Sequence, residues 1–133
     1  MDTNAKNIVR EMTRASNEER ITFPEVVKAL MAAGVERYHA DLIAGHKTYH
    51  MPDDSFEIVP SHKTSATAQT FSAESVQKAL HAIQGKEIGY REFCERIAAA
   101  GCVGYFVSLA GRRAVYYGRA LDTYVEWFPG AKP

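Results

Sequence analysis

Residues 21–51, ITFPEVVKALMAAGVERYHADLIAGHKTYHM, and residues 88–118, IGYREFCERIAAAGCVGYFVSLAGRRAVYYG, lie on one another at a constant offset of 67 without a gap. Eight of these 31 positions are identical: Ile21/Ile88, Glu25/Glu92, Ala32/Ala99, Ala33/Ala100, Gly34/Gly101, Tyr38/Tyr105, Leu42/Leu109 and Tyr49/Tyr116. Phe23/Tyr90, Val26/Phe93 and Leu30/Ile97 keep their character. After a small gap the match resumes at Phe56–Pro60 and Tyr124–Pro129. Self-similarity at a fixed spacing marks a repeated structural unit.

The paired segments make the same local sense. Thr22 stands where a helix cap is needed, and Glu25 three residues later reaches back to it. Ile21 and Val26 can close a hydrophobic staple over that turn. Pro24 is tolerated because first-turn N–H groups have no helical partner. In the second half Gly89 takes the cap position and Glu92 keeps the acid. Both helices carry apolar residues at helical spacing. Both end in Ala-Ala-Gly, so Gly34 and Gly101 read as left-handed caps. A further helix precedes each: residues 4–16, with Ile8, Val9, Met12 and Ala15, and residues 73–84, with Val76, Ala79, Leu80 and Ile83, capped by Ser72.

Strand-like sequence follows each helix pair, over about 37–43, 46–51 and 56–60, and again over about 103–109, 113–118 and 123–128. Ala44-Gly45 and Gly111-Arg112 read as tight turns. The expected fold is therefore α+β, an internal duplication of an αα-βββ unit. Its antiparallel strands carry the helices on a shared apolar face. One domain would hold two repeats, about 4–60 and 71–129, joined by a linker at 61–70. A two-residue turn at Ala44-Gly45 pairs residues whose numbers sum to 89. The expected core face is then Tyr38, Ala40, Leu42, Tyr49 and Met51, with Tyr105, Val107, Leu109, Ala114 and Tyr116.

Composition narrows the function. The chain has 133 residues, with 16 Lys+Arg against 16 Asp+Glu and a formal net charge of zero. Bulk electrostatic gripping of nucleic acid needs a basic excess, so nucleic acid is not expected as a partner. No apolar run reaches the length of about 18 residues that a membrane span needs, and no signal peptide is visible. The expectation is a cytoplasmic protein without a membrane partner. Cys94 and Cys102 form no metal-binding or redox motif and read as buried, reduced thiols.

The opposite sheet face differs between the halves. The first half carries His39, Asp41, His46, Thr48 and His50, with His39 expected directly across from His50. Two imidazoles and a carboxylate on one face could hold a divalent metal or run acid–base chemistry. They match no established metal motif, and no cofactor is predicted. The second half carries Phe106, Ser108, Val115 and Tyr117, too apolar for open solvent, so this face is expected to pack on the linker, on the other half or on a second chain, with self-association favoured. Arg112, Arg113 and Arg119, beside Tyr116 and Tyr117, are candidate ligand-binding residues.

Gly101-Cys102-Val103-Gly104-Tyr105-Phe106, Gly111-Arg112 and Tyr116-Tyr117-Gly118-Arg119 resemble a bacterial and prophage-associated family of small proteins. Thr22–Val27 and Tyr38–Leu42 are similar to the first half of the same YbcV-like family. Some of its members are labelled "phage envelope protein". The resemblance covers nearly the whole chain and implies no reaction, ligand or site residue. The expectation is thus a binding or protein-interaction module that self-associates, more readily than an enzyme. Its partner would be itself or another protein, with a small-molecule ligand left open. The rival reading is a metal-binding protein or small hydrolase-like enzyme using His39, Asp41 and His50.

Overall fold

Polar side chains open three of the four helices. Asp2 accepts a hydrogen bond of 2.8 Å from Ala5 N and opens α1 (Thr3–Asn17). At α2 (Phe23–Ala32) the Glu25 carboxylate accepts from Thr22 N at 3.0 Å and from the Thr22 hydroxyl at 2.8 Å. Ser72 accepts from Ser75 N at 3.2 Å to start α3 (Ala73–Gln84), and Gly89 precedes α4 (Tyr90–Ala99). These caps satisfy amide groups that the helix leaves without partners. The strands are β1 (Arg37–Asp41), β2 (His46–His50) and β3 (Phe56–Pro60), then β4 (Cys102–Ser108), β5 (Arg113–Gly118) and β6 (Thr123–Trp127). The structure, a computed structural model, describes residues 1–131.

The six strands form one antiparallel sheet in the order β3-β2-β1-β4-β5-β6. The fold is α+β, and its element order is ααβββ twice over. At the centre of the sheet His39 pairs with Phe106, Tyr38 with Val107 and Ala40 with Tyr105. His39 and Phe106, 67 apart, face each other across the β1–β4 seam, and the pairs on either side, Tyr38 with Val107 and Ala40 with Tyr105, exchange when each residue is replaced by the one 67 positions away. Backbone conformation keeps the same spacing. The positive-φ residues Glu19 and Lys86, Gly34 and Gly101, Gly45 and Arg112, and Asp54 and Leu121 are each 67 apart. The outer strands, β3 and β6, begin 67 residues apart as well, so the small gap expected near Phe56 is not needed.

The hairpin register differs from the expected one. Four residues, 42–45, close β1 onto β2, and Gly45 N donates to Asp41 O at 3.0 Å. Leu42 is drawn into the core, which takes two residues out of the ladder. His39 consequently pairs with Thr48, and His50 pairs with Arg37. Residues 109–112 make the matching four-residue loop in the second half in place of a two-residue turn. A shift of two preserves side-chain parity, so every residue keeps its expected face while its cross-strand partner changes.

Arg112 occupies the position that Gly45 fills in the first half, at φ 55°. A side chain there costs on the order of 1 kcal/mol. Arg112→Gly should raise stability by about 0.5–1 kcal/mol, read from denaturant midpoints.

All four helices lie on one side of the sheet. They bury Tyr38, Ala40, Tyr49, Tyr105, Val107, Ala114 and Tyr116 against Val9, Leu30, Val76, Leu80, Phe93 and Ile97 in one cluster. Cys94 and Cys102 are free and buried there. No helix among the described residues is long and apolar enough to cross a membrane.

The segment between the halves is strapped down by backbone bonds. Thr64 N donates to Leu42 O at 3.0 Å, Ala68 N to Ala98 O at 3.0 Å and Ser72 N to Ala100 O at 2.8 Å. It runs so close that a Cβ on Gly101 would meet Thr70 O at 2.2 Å, whereas one on Gly34 would meet only Met51 Cε at 3.6 Å. Both glycines have positive φ. Gly34→Ala should therefore cost about 1 kcal/mol, and Gly101→Ala roughly 3 kcal/mol or more. Paired denaturation curves test the difference, and equal costs would contradict it.

Candidate functional site

Strand pairing carries three rows of side chains across the sheet face that the helices leave uncovered, because directly paired residues share a face. The central row runs Ile58, Thr48, His39, Phe106, Val115, Val125. One flanking row runs Phe56, His50, Arg37, Ser108, Arg113, Trp127. The other runs Pro60, His46, Asp41, Gly104, Tyr117, Thr123. Phe56 (57% exposed), Ile58 (55%), Phe106 (51%) and Val125 (39%) all stand on this face. Isolated exposed apolar residues are ordinary, but a line of them across one sheet face marks a contact surface.

His39 sits at the middle of the face. Its ring packs 4.4 Å from that of Phe106 and 5.8 Å from that of Tyr117, centroid to centroid. His39 Nε2 and the Tyr117 hydroxyl share a hydrogen bond of 2.6 Å. Half-burial among these rings lowers the His39 pKa, which favours the neutral imidazole at pH 7. Burial raises the Tyr117 pKa, so its phenol stays protonated. Tyr117 lies where Gly104 has no side chain. A Cβ there would come within 2.7 Å of the Tyr117 hydroxyl and 2.6 Å of Ala40 O.

The other candidate residues are spread apart. Asp41 lies at the loop end of β1, and its Oδ1 accepts from Ile43 N at 3.0 Å and Ala44 N at 2.8 Å. His50 lies at the far end of the hairpin, its ring 6.0 Å from that of Phe56. Among the described residues no three His, Cys, Asp or Glu side chains gather as metal ligands. Arg113 lies over the Trp127 ring at 4.7 Å, and Arg112 is out in the loop. Arg119 alone of the three arginines joins Asp41, in a shallow recess of about 430 Å³ that Ile43, Ala44, Val103 and Tyr117 complete.

The sequence reading passed over one residue on the covered face. Lys47 pairs with Ala40 and Val59, so its side chain points among the helices, and it is only 3% exposed. Its ammonium lies 4.5 Å from the Tyr90 ring centroid and 5.8 Å from that of Tyr38. The Tyr90 and Tyr105 hydroxyls are joined at 2.8 Å nearby. No carboxylate among the described residues lies within ion-pair distance of Lys47. Burial pushes its pKa down to about 8. Parity with Tyr49 was the available signal, since position 47 matches Ala114 in the second half.

The sequence profile of the family described as "Protein of unknown function (DUF1398)" matches residues 6–125. Uncharacterized proteins of Mycobacterium bovis and Mycobacterium tuberculosis are 28% identical to the chain over 113 residues, covering 84% of this chain and 69% of theirs.

Proposed function

The chain belongs to the DUF1398 family of proteins of unknown function, and we propose that it is an interaction module that pairs with a second copy of itself through the open sheet face. The observation that carries this reading is the set of exposed apolar side chains, Phe56, Ile58, Phe106 and Val125, on the one face no helix covers. Burying a side chain the size of Phe or Ile is worth about 1.5–3 kcal/mol, so a few of them can drive association.

Charge supports a second copy as the occupant. With a formal net charge of zero, two chains meet without long-range repulsion. Arg37 and Arg113 lie in one flanking row and Asp41 in the other. A second sheet turned end for end about the central row sets Arg37 of one copy over Asp41 of the other. Two sheets stacked in this way bury both faces, as in a sandwich.

Two further elements belong to the proposal. The halves are repeats of one αα-βββ unit, supported by the positive-φ pairs 67 residues apart. The chain also belongs with the YbcV-like, prophage-associated proteins that its motifs resemble, and it works in the cytoplasm. Sedimentation equilibrium over a concentration series tests the central reading. Mass twice that of the 14.8 kDa chain is expected, and a single-chain mass throughout contradicts it.

A further inference from the structure

The β1–β2 loop and the turn after β5 stand at the same end of the sheet, because Asp41 and Tyr117 lie in one row. Between them is the recess lined by Asp41, Ile43, Ala44, Val103, Tyr117 and Arg119. Its volume of about 430 Å³ falls within the range of small-molecule sites. Two charges of opposite sign meet an apolar wall there, and the aromatic side is held in place.

Each part has a physical cause. Loop amides at 3.0 and 2.8 Å fix the Asp41 carboxylate through Oδ1. That leaves Oδ2 for another donor. Arg119 makes no ion pair among the described residues, so its guanidinium fork is available for a carboxylate. The Tyr117 hydroxyl is held at 2.6 Å by His39, and the bare Cα of Gly104 gives its ring room. Ile43, Ala44 and Val103 supply the apolar surface.

We propose that this recess binds a small zwitterion of the α-amino-acid class with an apolar side chain. The ligand carboxylate sits on Arg119, its ammonium on Asp41, and its side chain against Ile43, Ala44 and Val103. A simple anion leaves Asp41 facing it with like charge, and a simple amine does the same at Arg119. Both are therefore disfavoured. The site is complete within one chain, and because Asp41 and Tyr117 stand on the face proposed to pair, a second copy competes with the ligand and the test uses the dilute chain.

Isothermal titration and amide chemical-shift mapping of the dilute full-length chain test the proposal, with L-alanine, L-valine and L-leucine as probes. N-acetyl-valine and valine amide serve as singly charged controls. The free amino acids should bind in the millimolar range, with shifts centred on Ile43, Ala44, Val103 and Tyr117. Each blocked form should bind roughly tenfold more weakly. Arg119→Gln should lose the free amino acid by a similar factor while keeping the parent's melting temperature. Asp41→Asn keeps an oxygen for the loop amides and should lose it too. No binding by any probe overturns the proposal. Blocked forms binding as well as free ones, or unchanged affinity in both variants, overturn it equally.

Discussion

Phe106→Asp is expected to abolish pairing, raising the dissociation constant about 100-fold or more, the scale of a residue at the centre of an interface. Phe106 is 51% exposed and stands mid-sheet, against His39 at 4.4 Å and 5.5 Å from Tyr117. Covering it removes apolar area from water. Covering an aspartate instead means desolvating a carboxylate that has no partner there, which costs several kcal/mol. Since the position is half exposed in the single chain, the same change should lower fold stability by only about 1 kcal/mol, the span of strand preference. Sedimentation and a denaturant melt of the same preparation separate the two effects. Unchanged mass at every concentration, with an intact melt, would sink the interface.

Lys47→Met is expected to stabilise the fold by about 1–3 kcal/mol. A lysine whose pKa drops from 10.5 to about 8 on burial destabilises the folded state by roughly 3 kcal/mol at neutral pH. Its contacts with Tyr90 and Tyr38 are lost in the variant, which offsets part of that gain. Methionine keeps the length of the chain and matches the apolar surroundings. The sign with pH follows from proton counting. Between about pH 8 and 10.5 the unfolded lysine holds a proton that the folded one has released, so stability contributed by this group rises with pH. The advantage of Lys47→Met is therefore full below pH 8 and closes as pH climbs toward 10.5. Buried Tyr38, Tyr90 and Tyr105, whose pKa values are raised by burial, lower stability above pH 10 in both proteins. They largely cancel in the difference. A pH-independent difference would show that Lys47 is not held as described.

Local features were readable in the residues themselves. Glu25, Ser72, Gly34 and Gly101 mark helix ends by their own chemistry, while the first helix starts one residue earlier than expected, at Thr3, because Asp2 caps it. Strand faces were readable too, because parity needs only a two-residue period. Register was not, because it depends on how Leu42 and Leu109 are drawn into the core and lengthen both loops. That shift separated His39 from His50 and left the expected three-residue constellation apart. Lys47 was not legible as a buried residue, because a lysine between His46 and Thr48 has the chemistry of a solvated position although its parity with Tyr49 puts it on the covered face. The Asp41–Arg119 recess joins loops from the two halves, and only the β1–β4 seam brings them together.

The most direct measurement is the mass of the unmodified chain at equilibrium in the ultracentrifuge, from low to high micromolar concentration and at neutral pH. A reversible rise from one 14.8 kDa chain to two, absent in Phe106→Asp, is the result expected. A chain that stays single at every concentration would contradict an open sheet face made for a second copy.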